Sequence, residues 1–442
     1  MQAVILAGGK GTRLAERLGP LPKPLVGVCG VPLLERQLLQ LRANGVTEVV
    51  ILVNHAADRI ERFVEGFLVT HDGLSVTTVD DGAPRGTSGA LLSVLDRLQE
   101  RFLVVYGDTL FEIDVARFGD AHRRSGADAT LFLHPNDHPH DSDLVETGED
   151  GFVIRFHPKP HPEGAALPNL VNAAFYMVER AALLRWRDFP EPSDFGRDLF
   201  PAMLAAGQRL FGYNSFEYIK DLGTPARLDK VEDHLRRGVV ARAARGRRQR
   251  CVFLDRDGTL NRPRGHVARP EDLVLIPGAA EAVRRLNEAE FRVALVTNQP
   301  VLARGECTEE GMRAIHARLD MELGRAGAWL DRAYLCPHHP DAGFPGEVPA
   351  LKVACTCRKP EPGLILRAAE ELNADLARSW MIGDTTSDML AARRAGVRGI
   401  LVRTGEGGRD GRYEAPPEHV ADDLAAAVGL ILAQDVRRES AA

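Results

Sequence analysis

The stretch CVFLDRDGTLN, Cys251 to Asn261, decides how this chain is read. An apolar run, Val252 to Leu254, drives straight into two carboxylates one residue apart, Asp255 and Asp257. Residues two apart on a strand share a face, so both can look into one site at the strand's C-terminal end. Ligands of open parallel α/β sheets bind at that end. Like charges held this close call for a partner, most simply a divalent cation with oxygen ligands.

Three further stretches follow in order. Arg292 to Val296 reads as a strand that ends in Thr297-Asn298-Gln299, then come Arg358-Lys359-Pro360, and Trp380 to Ile382 reads as a strand that ends in Gly383-Asp384 with Asp388 close behind. With DRDGT, this ordered set resembles the four motifs of the haloacid dehalogenase-type phosphatases. The resemblance implies that Asp255 attacks phosphorus and that Asp257 protonates the leaving alkoxide and then activates water. It implies that Thr297 and Lys359 hold the phosphoryl oxygens, with Asn298 beside them. It also implies magnesium on Asp255, Asp257 and Asp384, supported by Asp388. No large cap insertion separates the motifs, so a small open site is expected.

Between the second and third motifs, Cys336-Pro-His338-His339-Pro340 is followed by Cys355-Thr-Cys357. Three thiolates and one imidazole make a closed tetrahedral zinc site of the structural type. His338 is the preferred ligand because C-x-H mirrors C-x-C, and His339 is the alternative. Cys357 directly precedes Arg358-Lys359, so zinc here would fix the loop that delivers the third motif rather than perform chemistry. The loop narrows the resemblance to the heptose 1,7-bisphosphate 7-phosphatases and the related histidinol-phosphate phosphatases, and it gives Arg358 the task of selecting a second phosphate.

Upstream, Ala3 to Leu6 is a short apolar strand before Gly8-Gly9-Lys10-Gly11-Thr12-Arg13-Leu14, and Pro22-Lys23-Pro24 follows. Glycines let backbone N–H groups approach phosphate, and the two prolines stiffen the segment carrying Lys23. GGKGTRL followed by PKPL resembles the sugar-1-phosphate nucleotidyltransferases, which have a Rossmann-like fold. On that resemblance Gly8, Gly9, Gly11, Thr12, Arg13 and Lys23 serve the phosphates. Gly86, Thr87 and Gly89 of GTSGA form the loop that contacts base and ribose. Asp108 and Asp221 hold magnesium, and Lys159 and Asn172 contact the sugar. Pro158 stands where the family often has glutamate, so the sugar-side contacts depart from the pattern.

At 442 residues, with 44% hydrophobic and 27% charged residues and a net charge of −6, the chain reads as a globular protein of two to three domains and not as a nucleic-acid binder. No run is apolar enough for a membrane span, and no secretory signal opens the chain. Four of the six cysteines lie between Cys307 and Cys357, unlike a disulfide framework, so a cytoplasmic setting is expected. The expected architecture is α/β with two Rossmann-like domains: a transferase over 1–234, a basic linker over 235–250, a phosphatase over 251–404 and a tail over 405–442 with a last helix from Asp422 to Asp435. The implied partners are sugar phosphates and an NTP, with oligomeric state open.

The pairing of the two halves carries the functional expectation. A heptose bisphosphate phosphatase makes a heptose 1-phosphate, and a sugar-1-phosphate nucleotidyltransferase consumes one. The expected product is GDP-heptose. The alternatives are another sugar, such as mannose 1-phosphate, or a first half that senses a sugar nucleotide and regulates the phosphatase.

Overall fold

A computed structural model describes residues 1–9, 19, 21–54, 56–82, 84–263, 265–343 and 345–439. Of the expected phosphate loop, Gly11, Thr12 and Arg13 lie outside these residues. The chain forms two compact units. One comprises Met1–His134, Asp143–Pro158 and Val171–Gly246, and the other comprises Pro135–Ser142, Lys159–Leu170 and Arg247–Ala442. A single cut near residue 234 is therefore too simple, because two short segments of the first half belong to the second unit.

In the first unit, β1 (Gln2–Leu6), β2 (Glu48–Val53), β3 (Ser75–Asp80) and β4 (Arg101–Tyr106) run parallel in the order β4-β1-β2-β3. The runs Val49–Val53 and Phe102–Val105 are apolar throughout and buried, as strands of a covered parallel sheet must be. Helices Leu33–Ala43 and Ala57–Thr70 bury Leu34, Leu38, Leu41, Ile60, Val64 and Phe67 in the same core. After β4 the chain turns through Gly107-Asp108 into β5 (Thr109–Glu112). The antiparallel β6 (Val171–Glu179) extends the sheet beyond β4, and β7 (Tyr218–Asp221) pairs with β5. The basic stretch expected as a linker is partly core. Helix Pro225–Arg236 is followed by a turn of helix at Val239–Arg242, and Val240 and Ala243 are buried with Leu110, Tyr218 and Val231.

The second unit holds β8 (Cys251–Leu254), β9 (Arg292–Asn298), β10 (Arg332–Cys336), β11 (Trp380–Gly383), β12 (Arg398–Val402) and β13 (His419–Ala421). All run parallel in the order β10-β9-β8-β11-β12-β13. The segment expected as a tail is part of this domain. β13 is its sixth strand, and the helix Leu424–Glu439 buries Ala427, Val428 and Ile431 in the main core. Among the described residues, no helix is long and apolar enough to cross a membrane.

Candidate functional site

In the second unit β8 lies between β9 and β11, so the C-terminal ends of these three strands are neighbours. They deliver Asp255, Thr297 and Asp384 to one place. Oxygens of Asp255, Asp384 and Asp388 come within 4.8 Å of one another. Lys359 enters this cluster buried: its Nζ donates to Asp255 Oδ1 at 2.7 Å and to the Val296 carbonyl at 2.8 Å, and it stands 2.6 Å from Asp388 Oδ1. Thr385 caps the helix Thr386–Ala395, and its N–H donates to Asp388 Oδ2 at 3.0 Å in a reciprocal capping box. The helix start thus uses one oxygen of Asp388 and aims the other at Lys359.

Burial pushes the Asp255 carboxyl above its ordinary range, against the pull of Lys359. Burial likewise raises Asp384, and the Asp255 and Asp388 carboxylates raise it further. Asp384 Oδ2 accepts the Glu406 N–H at 2.7 Å, while Oδ1 is buried with no hydrogen-bond partner among the described residues. Gly258 (φ +84°) and Gly405 (φ +61°) both close on Oδ2, where a Cβ would collide. Crowded, desolvated carboxylates with an unmatched oxygen fit a hard divalent cation such as magnesium.

Two expected roles change. The Asp257 carboxylate does not join the acidic cluster; it accepts from Arg256 Nη2, Asn261 Nδ2 and Gln299 Nε2, each at 2.9 Å. The strand's alternation put it on the correct side, but the neighbouring Arg256 captures it. The Asn298 amide is taken up by the chain: it donates to the Lys359 carbonyl and accepts the Lys359 N–H, both at 3.0 Å. It therefore clasps the backbone of Lys359.

The side chains of Cys336, His338, Cys355 and Cys357 form a second cluster, with donor atoms within 4.8 Å of one another. Cys357 Sγ lies 3.2 Å from the sulfurs of both Cys336 and Cys355 and 3.3 Å from His338 Nδ1. His338, not His339, is the imidazole brought in. The tetrad of three sulfurs and one nitrogen, free of disulfides, fits zinc. Arg358 donates to the His338 carbonyl at 3.0 Å, and its N–H to Cys355 Sγ at 3.3 Å, so the cluster grips the residue before Lys359.

In the first unit a cavity of about 450 Å³ opens at the C-terminal ends of the parallel strands. Gly8 and Gly9 follow β1, Asn54 follows β2, Asp81 follows β3 and Asp108 follows β4, and all line it. This is the switch point of the sheet, with β1 flanked by β2 on one side and β4 on the other. Lys23 Nζ bonds Asp108 Oδ2 at 3.0 Å; the lysine begins a 3₁₀ turn after the extended Pro22. Asp221 reaches the same neighbourhood, since it pairs with Thr109 across β5 and β7 and the next residue's N–H donates to the Asp108 carbonyl at 2.7 Å. Burial would raise the Asp221 carboxyl, but two bonds from Arg227 at 2.6 and 2.7 Å outweigh it and hold it below its ordinary range.

GTSGA is the start of the helix Gly86–Ser93 and not a loop. Gly86 (φ +73°) and Thr87 line the cavity, while Gly89 does not; a Cβ on Gly89 would stand 3.1 Å from Glu191 Cγ. Lys159 belongs to the second unit, where Nζ bonds the Asp141 carbonyl at 2.8 Å and its carboxylate at 3.2 Å, and it is not a lining residue of the cavity. Asn172 sits at a bulge in β6, its Oδ1 accepting the Ala174 N–H at 3.4 Å, and is not a lining residue. Asn54, Asp81 and Tyr106 were missed by sequence reasoning, although each stands at or just past a parallel strand's end.

These features define a nucleotidyltransferase joined to a haloacid dehalogenase-type phosphatase. The profile of the nucleotidyl transferase family matches residues 2–237, and a HAD-hydrolase-like profile matches residues 356–427. The D-glycero-D-manno-heptose-1,7-bisphosphate 7-phosphatase of Thermosynechococcus vestitus is 45% identical over 188 residues, 41% of this chain and 94% of that protein. The chain belongs to the nucleotidyl transferase family through its first half and to the family of these heptose-bisphosphate phosphatases through its second. It is similar to the crystal structure of D,D-heptose 1.7-bisphosphate phosphatase from B. bronchiseptica complexed with magnesium and phosphate (35% identity, 42% of this chain, 99% of that one, TM-score 0.38). It is also similar to HddC from Yersinia pseudotuberculosis complexed with GMP-PN (24% identity, 53% of this chain, 99% of that one, TM-score 0.45). The protein is an enzyme with both domain types.

Proposed function

We propose that the chain performs two consecutive steps of nucleotide-activated heptose synthesis. The second half removes the 7-phosphate of D-glycero-D-manno-heptose 1,7-bisphosphate. The first half then transfers GMP from GTP to heptose 1-phosphate, giving GDP-heptose and pyrophosphate. The observation that carries this reading is the buried cluster of Asp255, Asp384, Asp388 and Lys359, on a chain whose first half opens a cavity beside Lys23 and Asp108.

In the phosphatase, a carboxylate oxygen of Asp255 bonds to phosphorus as the bond to the sugar oxygen breaks. A proton on Asp257 passes to that oxygen. Water then attacks phosphorus, gives its proton to Asp257, and the bond to Asp255 breaks to release inorganic phosphate. Lys359 and Thr297 hold the phosphoryl oxygens, and Arg358 selects the second phosphate. In the transferase, positioning and charge neutralisation carry the reaction. Lys23 holds phosphate oxygens, Arg13 neutralises the departing pyrophosphate, and Gly8, Gly9, Gly86 and Thr87 frame the nucleotide. Asp255 and Asp384 in one site, and Asp108 and Asp221 in the other, would hold magnesium, which would supply charge that lets anions approach one another. Zinc on Cys336, His338, Cys355 and Cys357 has a structural role.

The test is a coupled assay with purified chain, magnesium, heptose 1,7-bisphosphate and each NTP in turn. Phosphate followed by pyrophosphate with GTP alone is the expected result. Phosphate without pyrophosphate for any NTP removes the transferase assignment, and neither product removes the heptose.

A further inference from the structure

Gln299 lies one residue past β9 and is fully buried, yet the chemistry above gives it no task. Its amide makes three hydrogen bonds. Oε1 accepts from Arg256 Nη2 at 2.8 Å, and Nε2 donates to Asp257 Oδ2 at 2.9 Å and to Thr297 Oγ1 at 2.8 Å. Which way the amide faces is dictated by Arg256, because a guanidinium only donates: Oε1 must take Arg256, and the amide N–H groups are left for Asp257 and Thr297. Arg256 is itself wholly buried and donates to Asp257 Oδ2 at 2.9 Å, with Nη1 against Met312 Sδ at 3.4 Å. Asn261 holds the other oxygen of Asp257, and the Gln299 N–H is tied to the Cys336 carbonyl at 2.8 Å. A buried arginine and a buried amide are costly to place, and neither touches the acidic cluster; both converge on one carboxylate.

We propose that Gln299, with Arg256 behind it, is a positioning residue that holds Asp257 where its proton meets the leaving sugar oxygen. This rests on the reading of Asp257 as the group that protonates that oxygen. With three donors on two oxygens, the carboxylate keeps one orientation through both halves of the reaction. Without Gln299 the carboxylate is left to Arg256 and Asn261 and can turn away from the leaving oxygen, so proton delivery suffers more than attack by Asp255.

The test compares two substrates with the same sugar: heptose 1,7-bisphosphate and its analogue with sulfur bridging C7 and phosphorus. A thiolate leaves without being protonated, so the sulfur ester does not need the acid. Single-turnover sugar release is measured for wild type, Gln299→Met, Gln299→Glu and Asp257→Asn. Gln299→Met removes the amide, and Gln299→Glu keeps an acceptor for Arg256 while offering no N–H to Asp257. Both are expected to lose about 10²-fold on the oxygen ester, the lower end of what general acid catalysis supplies, and to recover nearly wild-type rates on the sulfur ester. If Asp257→Asn is rescued by sulfur but the Gln299 variants slow equally on both esters, the positioning role is overturned. If Asp257→Asn is not rescued, Asp257 is not the acid and the proposal falls with that reading.

Discussion

Lys359→Met tests what holds the phosphatase cluster together before any substrate arrives. At an effective dielectric constant of about 20, two carboxylate oxygens at the cluster's outer limit of 4.8 Å repel by about 3.5 kcal/mol, and closer ones by more. On the same scale the lysine contacts at 2.7 and 2.6 Å are each worth about 6 kcal/mol, so one ammonium outweighs the repulsion between Asp255 and Asp388. Methionine keeps much of the volume and removes the charge. Breaking a buried pair in this way costs about 3–5 kcal/mol, which is the expected loss in chelator. A divalent cation that binds only the folded cluster returns stability by mass action, so saturating magnesium should restore most of the loss. The assay is urea unfolding read by hydrogen exchange in peptides from β8 and β11, with and without magnesium. A loss under about 1 kcal/mol in chelator, or the same loss with magnesium present, would refute the charge-balance argument.

Asp255→Asn should abolish phosphate release from heptose bisphosphate and leave pyrophosphate release from GTP and heptose 1-phosphate intact; loss of both in a folded variant would contradict two independent sites. Cys357→Ser should lose the zinc found by metal analysis of the wild type and slow phosphate release by about 10- to 100-fold, through the loop that carries Lys359, with nucleotidyl transfer unchanged. Asp320, which accepts the Asn169 N–H at 3.0 Å, is pushed up to about 7 by burial, against the pull of that N–H. Its folded-state value lies above the unfolded one, so the fold loses stability as pH rises from about 4 to 7. Asp320→Asn should match wild type near pH 4 and be more stable by about 2 kcal/mol near pH 8, half the full shift because the side chain is partly exposed; equal stabilities across a pH series of urea melts would show that Asp320 carries no such penalty.

Asp255 and Asp384 were legible because each follows an apolar strand and a parallel sheet gathers such ends, whereas Asp388 sits inside the helix Thr386–Ala395. Asp255, Thr297 and Asp384 needed no tertiary information beyond that rule. Lys359 was legible only through its motif, since nothing in its spacing says that Asn298 will clasp its backbone. The sequence put Asp257 and Asn298 on the right edge but did not reveal their partners, because side-chain hydrogen bonds are settled by whichever donor lies nearest. The choice of His338 over His339 followed from the C-x-H spacing. In the first unit, Gly8, Lys23 and Asp108 were readable, whereas Asn54 and Asp81 carry no motif and declare themselves only when the strand ends converge. Lys159 was readable only as a Lys-Pro pair, and nothing in that pair says that Asp141 will bond its Nζ. The last helix was underrated because Ala427 and Val428 are small residues that form core only when β12 and β13 lie beside them.

The two segments Pro135–Ser142 and Lys159–Leu170 bear on how the protein can be dissected. A clone beginning at Arg247 would lack part of its own compact unit. Gly324 would lose Pro139, which leaves no room for a Cβ there, and Asp320 would lose the Asn169 N–H. The gene therefore does not divide into two portable cassettes at the basic stretch. Anyone transplanting the phosphatase must carry those pieces along or redesign the face of the helix Glu309–Arg325 that they cover.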